Sequence, residues 1–148
     1  WALDVYKRQV EARGVFADAG PYEPWWAHWG VVFGANSDFT DLYTFQVNAN
    51  QGFAVLRYRN STIPEQDTDN ETPIIPWTTT NLVNLNPSYN TLRAEVKGDQ
   101  AIFYINGTEV GSADIPGLSS TTKVGLIGGS WEVTPVDVRI DYFSYEEP

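Results

Sequence analysis

The residues best suited to chemistry crowd together near the start of the chain. Tyr22, Trp25, Trp26, His28 and Trp29 sit in and just after a loop punctuated by Gly20, Pro21 and Pro24. An indole presents a broad apolar face and a single N–H donor. The flat C–H faces of a sugar ring fit such a surface, so the cluster reads as a carbohydrate platform. Arg57, Tyr58 and Trp77 are further candidates for the same surface. The competing account is packing, because indoles are usually highly buried. Trp29 opens an apolar run and is assigned to the core. The adjacent Trp25 and Trp26 do not easily both point inward. His28 is the only histidine, and a lone imidazole among aromatics is more often a packing or binding group than a catalyst.

A second cluster is rich in oxygen. Asp67, Asp69 and Glu71 lie in the run D-T-D-N-E and are the candidate ligands for calcium, a hard cation that gathers oxygen donors. The run lacks the sixth-position glycine and twelfth-position glutamate of an EF-hand, and a solvated acidic loop is the plainer reading. The chain has no cysteine, which removes disulfides, thiol catalysis and zinc–thiolate sites. No serine lies in a G-x-S-x-G elbow. Nineteen acidic residues against nine Lys and Arg give a net charge of −10, which argues against nucleic acid as a partner. No apolar run approaches the length of a membrane span, so membrane insertion is not expected.

These groups need a scaffold, and Asn90 to Thr108 defines it. Leu92, Ala94 and Val96 alternate with Arg93, Glu95 and Lys97, the period of a half-buried strand. Gly98-Asp99 supplies a type II′ turn. Asn106-Gly107 supplies a type I′ turn, because both residues tolerate positive φ. With the apolar Ala101–Ile105 between them, the stretch predicts a three-stranded antiparallel meander. Further strands are predicted over Val10–Phe16, Trp29–Ala35, Leu42–Asn48, Phe53–Tyr58, Lys123–Ile127 and Val136–Tyr145. Tyr43, Phe45 and Val47 share one face. In the last strand Val138, Ile140 and Tyr142 share a face opposite Asp137, Arg139, Asp141 and Phe143. Asn60–Pro76 is read as irregular, and Gly128-Gly129 as a break. No segment carries a helical period with caps, so the fold class is an all-β, antiparallel two-sheet β-sandwich in one domain. Asp4–Gln9 resembles the translated end of a sequencing-library transposon. Residues 1–9 are therefore set apart from 10–148 as a cloning scar or strand remnant, the domain having lost its first strand or strands.

Taken in order, several motifs resemble the concanavalin A-like lectin/glucanase jelly roll, in its bacterial laminin-G-like, family 16 glycosidase-like or 3-keto-disaccharide-hydrolase-like branch. They are Gly30–Phe33, Tyr43–Val47, Asn90–Gly98, Phe103–Gly107, Val124–Leu126 and Val138–Phe143. The resemblance implies a jelly-roll fold over Val10–Tyr145 and, in the glucanases, an E-x-D-x-E strand of catalytic carboxylates. That strand is missing here. Asp137 and Asp141 come nearest, yet they stand about 13 Å apart along a strand at ~3.3 Å per residue, beyond the spacing of either glycosidase carboxylate pair. The expectation is a non-catalytic carbohydrate-binding or adhesion-type module of an exported bacterial protein, extracellular or at the cell surface, with a glycan or polysaccharide as partner. The alternatives are a glycoside hydrolase of the 3-keto-disaccharide or family 16-like type, and a structural or assembly module using its sheet edge against protein or other domains of a parent chain.

Overall fold

The computed structural model of the chain describes residues 7–18, 27–59, 71–130 and 136–147. They form ten strands: β1 (Lys7–Asp18), β2 (Ala27–Ala35), β3 (Asp41–Asn48), β4 (Gly52–Arg59), β5 (Glu71–Thr79), β6 (Asn90–Lys97), β7 (Gln100–Ile105), β8 (Thr108–Asp114), β9 (Lys123–Ser130) and β10 (Asp137–Glu146). Their one helical turn is the 3-10 segment Leu118–Ser120. The strands make two antiparallel sheets. The first runs β10-β1-β6-β7-β8 and the second β5-β4-β3-β2-β9.

The sheets face each other because their apolar residues alternate in register. Val10, Ala12 and Phe16 of β1, and Leu92, Ala94 and Val96 of β6, meet Trp29, Val31 and Phe33 of β2 and Tyr43, Phe45 and Val47 of β3. Phe103 of β7 is the hub, its ring 5.2 Å from Phe33 and 5.1 Å from Phe45 in tilted and edge-on contacts. Such aromatic pairs add about 0.5–1.5 kcal/mol each beyond area burial. At Gly30 the strands approach so closely that a Cβ would fall 2.0 Å from the Phe45 carbonyl oxygen.

The meander forms as its turns require. Gly98 has φ 60, Asn106 φ 51 and Gly107 φ 85. The Asn106 carboxamide also ties the hairpin to its neighbours. Its Nδ2 donates to the Leu82 carbonyl at 2.8 Å and to Asn90 Oδ1 at 2.9 Å, and its Oδ1 accepts from the Thr91 amide at 2.8 Å.

Lys7–Gln9, set apart in the sequence as scar or strand remnant, are the first residues of β1. Arg8 is buried there, with its guanidinium donating to the Thr121 carbonyl at 3.0 Å. Three expectations are corrected. Residues 71–79 are a strand despite Pro73 and Pro76. β5 is a sheet edge whose pairing with β4 slips twice, and an edge tolerates residues without an N–H donor. Gly128-Gly129 does not break β9, which pairs on to Ser130 opposite Ala27. In β10 the register slips between the partners of Arg13 and Gly14. Asp141 is the extra residue of a bulge, which reverses the faces beyond it. Phe143, opposite Ala12, joins Val138 and Ile140 on the inner face. Tyr142 moves outward and donates to Glu11 Oε2 at 2.7 Å.

Candidate functional site

The outer face of the second sheet is where the chain departs from an ordinary sandwich. Side chains alternate along a strand, so the residues between the core positions of β2, β3 and β4 point away from the first sheet. There they make a second buried cluster of Val32, Ala35, Leu42, Ala54, Leu56 and Tyr58, with Trp77 and Ile127 packed against it. Polar groups are set into this cluster. His28, Thr44, Gln46 and Tyr58 are all 0% exposed.

These polar groups form a chain that runs in from the sheet edge. Tyr58 and Glu71 are cross-strand partners on β4 and β5. Burial pushes the Glu71 carboxyl above the usual carboxylate range, and a hydrogen bond from the Tyr58 hydroxyl opposes that rise. Gln46 Nε2 then donates to the Tyr58 hydroxyl oxygen at 3.2 Å and to Thr44 Oγ1 at 2.8 Å. Thr44 Oγ1 in turn donates to the Leu56 carbonyl at 3.2 Å. The chain leaves one acceptor over. Gln46 Oε1 is buried and finds no donor among the described residues.

The expected site residues fall into three groups. His28, Tyr58 and Trp77 all lie on this outer face, and Glu71 joins them at its β5 margin. Arg57 does not, because neighbours in a strand point to opposite faces. Its guanidinium forks onto Asp41, Nε to Oδ1 at 3.1 Å and Nη2 to Oδ2 at 2.9 Å, and lies 5.0 Å from the Tyr43 ring centre. The Asp41 hydrogen bonds raise the Arg57 pKa. With Asn36, Ser120 and Thr121 this pair lines a separate recess of about 210 Å³ at one end of the sandwich. Tyr22, Trp25, Trp26, Asp67 and Asp69 lie outside the described residues. Among the described residues no group of three or more His, Asp or Glu could hold a metal ion.

The sequence reasoning missed Thr44 and Gln46. Their alternation with Tyr43, Phe45 and Val47 in L-Y-T-F-Q-V-N sets them on the opposite face of β3 but does not show that this face is buried.

No family model matches the chain, and no curated protein matches its sequence. Solved structures do match. The carbohydrate-binding module CBM66 from Bacillus subtilis superposes with a TM-score of 0.67 at 16% identity, over 95% of this chain and 75% of that one. Sheep galectin-11, in complex with glycerol, gives 0.62 at 11% identity, over 99% and 93%. The fold is the concanavalin A-like jelly roll. Alginate lyase A1-II′, a member of polysaccharide lyase family 7, shares the jelly roll at a TM-score of 0.61 and 10% identity, over 95% of this chain and 62% of its own. At such identities the likeness is one of fold. A glycosidase on this sheet face would need two carboxyl groups about 5–9.5 Å apart. Among the described residues of the outer face Glu71 alone carries one.

Proposed function

We propose that this jelly roll is a non-catalytic carbohydrate-binding module. Its sugar lies along the β5 margin of the second sheet's outer face. Trp77, partly exposed there, offers an apolar face for stacking. Glu71, partly exposed at the same margin, offers the hydrogen-bonding carboxyl, and the buried Tyr58 and Gln46 hold it from within. The observation that carries the reading is the placement of an indole and a carboxyl, both partly exposed, on one margin of this outer face. A sugar ring offers an apolar face to the first and hydroxyl donors to the second. The solved jelly rolls of a carbohydrate-binding module and of a galectin support the same direction. Tyr22, Trp25 and Trp26 precede β2 directly in sequence. In this proposal they extend the aromatic surface, and Asp67 and Asp69 join Glu71 at a calcium ion beside it. A protein with this task works outside the cell, where polysaccharide is found.

The test is a titration of the whole chain with neutral and acidic oligosaccharides, followed by tryptophan fluorescence with and without calcium. Saturable quenching that Trp77→Ala abolishes is the expected result. Weaker binding by Trp25→Ala and Trp26→Ala extends the site to the first aromatic cluster. A calcium requirement assigns the acidic run. A folded protein that answers to no glycan overturns the proposal.

A further inference from the structure

The sandwich is finished on one flank and unfinished on the other. On the β5/β8 flank the edge strands carry Pro73, Pro76 and a run of threonines, and Ser112, Glu109 and Asp114. Prolines, charges and small polar residues are how natural sheets keep an edge from pairing further. On the opposite flank β9 and β10 are terminal strands among the described residues, and the side chains there are of the other kind. Leu126 on β9 is 44% exposed, and Ile140, Phe143 and Tyr145 on β10 are 36%, 37% and 41% exposed. All four are cross-strand partners of inward-facing residues or of Gly14, namely Val31, Gly14, Ala12 and Val10. They face inward at an edge beyond which the described residues supply no further strand. Phe39, also exposed, lies beside Gly125 of β9 and is held at φ 58, a conformation a bulky residue rarely adopts.

We propose that the β10 edge is a docking site for a further strand, supplied by a polypeptide segment that alternates apolar and basic residues. β10 is ten residues long, and those of its backbone N–H and C=O groups that face away from β1 form one row for such a strand. The apolar residues of the incoming strand cover Ile140 and Phe143 and complete the inner face. Its basic residues meet the outward charges of β10, where Asp137, Asp141 and Glu146 outnumber Arg139 and the Arg13 that pairs with Asp141. Charge also disfavours a second copy of this chain in the same place. An antiparallel β10 pair with matched inner faces sets Val138 against Tyr145 and Ile140 against Phe143, and it then sets Asp137 against Glu146 twice. Like charges directly opposite destabilise a sheet, and each copy carries a net −10.

The experiment uses the whole chain and three octapeptides. One alternates valine and lysine, one alternates valine and glutamate, and one is the lysine peptide with a central proline. Binding is read from amide hydrogen exchange and from sedimentation. The lysine peptide is expected to bind, to slow exchange along β10, and to weaken as salt is added. The glutamate and proline peptides are expected to bind at least about tenfold more weakly, a loss of 1.4 kcal/mol or more. Phe143→Ser is expected to weaken the lysine peptide similarly while leaving circular dichroism unchanged, since the ring is partly exposed. Trp77→Ala is expected to leave peptide binding unaltered. Equal binding by all three peptides, protection away from β10, or indifference to Phe143→Ser overturns the proposal. A β10-dependent dimer of the chain alone replaces the partner strand with a second copy.

Discussion

The two sheets turn very different outer faces to their surroundings. On the first, charged and aromatic residues form a ladder. Arg93 lies 3.2 Å from Glu95 and 3.8 Å from Glu11, and 4.1 Å from the Tyr104 ring centre. Arg13 pairs with Asp141 at 2.7 Å and lies 4.1 Å from the Tyr89 ring centre. These groups are partly exposed, and each cation already has its anion and its ring. The second sheet's outer face is buried, mostly apolar, and threaded by the Glu71–Tyr58–Gln46–Thr44 chain, with one acceptor unmatched among the described residues. A ladder of exposed charges is complete in water and asks for nothing. A buried polar chain has no water to complete it, so an unmatched acceptor there costs about 1–3 kcal/mol. The proposed sugar site lies on the second sheet's side of that difference.

That contrast can be broken by substitution. Leu56→Ala empties a fully buried position of the second sheet's outer cluster. It is expected to lower unfolding stability by about 2–5 kcal/mol, read from the urea midpoint; a loss near zero means the outer cluster is not a core. Tyr58→Phe removes the hydroxyl between Gln46 and Glu71 and is expected to cost about 1 kcal/mol or somewhat more. Glycan affinity should fall with it if the chain contacts sugar. Arg93→Ala takes a cation from the first sheet's ladder. It should shift the midpoint by about 0.5 kcal/mol and less in high salt, whereas an effect as large as that of Leu56→Ala would erase the distinction between the faces.

The smallest expected effect is one of pH. The folded state raises the Glu71 pKa, so it holds that proton more tightly than the unfolded chain does. The stabilising contribution is fully present below the unfolded pKa and is lost as pH rises through the raised folded one. Glu71→Gln should remove this contribution. A difference in stability between wild type and variant that is flat across the acidic range would show that burial does not act on this carboxyl.

Much of the fold was legible because local signals and packing agree. Tyr43, Phe45 and Val47 alternate, and Gly98 and Asn106-Gly107 have the backbone freedom their turns need, so β3 and the β6–β8 meander follow directly. β5 was not legible, since two prolines argue against a strand unless it is known to be an edge. The Asp141 bulge was equally hidden, because one inserted residue leaves the local pattern intact while reversing the side chains beyond it. At the site, His28, Tyr58 and Trp77 stood out by type. Thr44 and Gln46 did not, because a polar residue on alternate positions normally means solvent. Nothing in the period of a strand says that its second face is also buried.

Asn106 carries a consequence of a different kind, one of ageing. An Asn-Gly pair is where a polypeptide most readily closes a succinimide ring, the glycine nitrogen attacking the carboxamide and expelling ammonia before water opens the ring, and that closure needs a mobile carboxamide. Here both ends of the group are held, Nδ2 by Leu82 and Asn90 and Oδ1 by the Thr91 amide. The native hairpin therefore preserves the residue that fastens it. Conversion to aspartate would turn two donated bonds into contacts between a carboxylate and oxygen acceptors. Peptide mapping after warm storage, with and without denaturant, should find damage at residue 106 only in the unfolded samples. Equal damage in both would show that those bonds do not hold the amide.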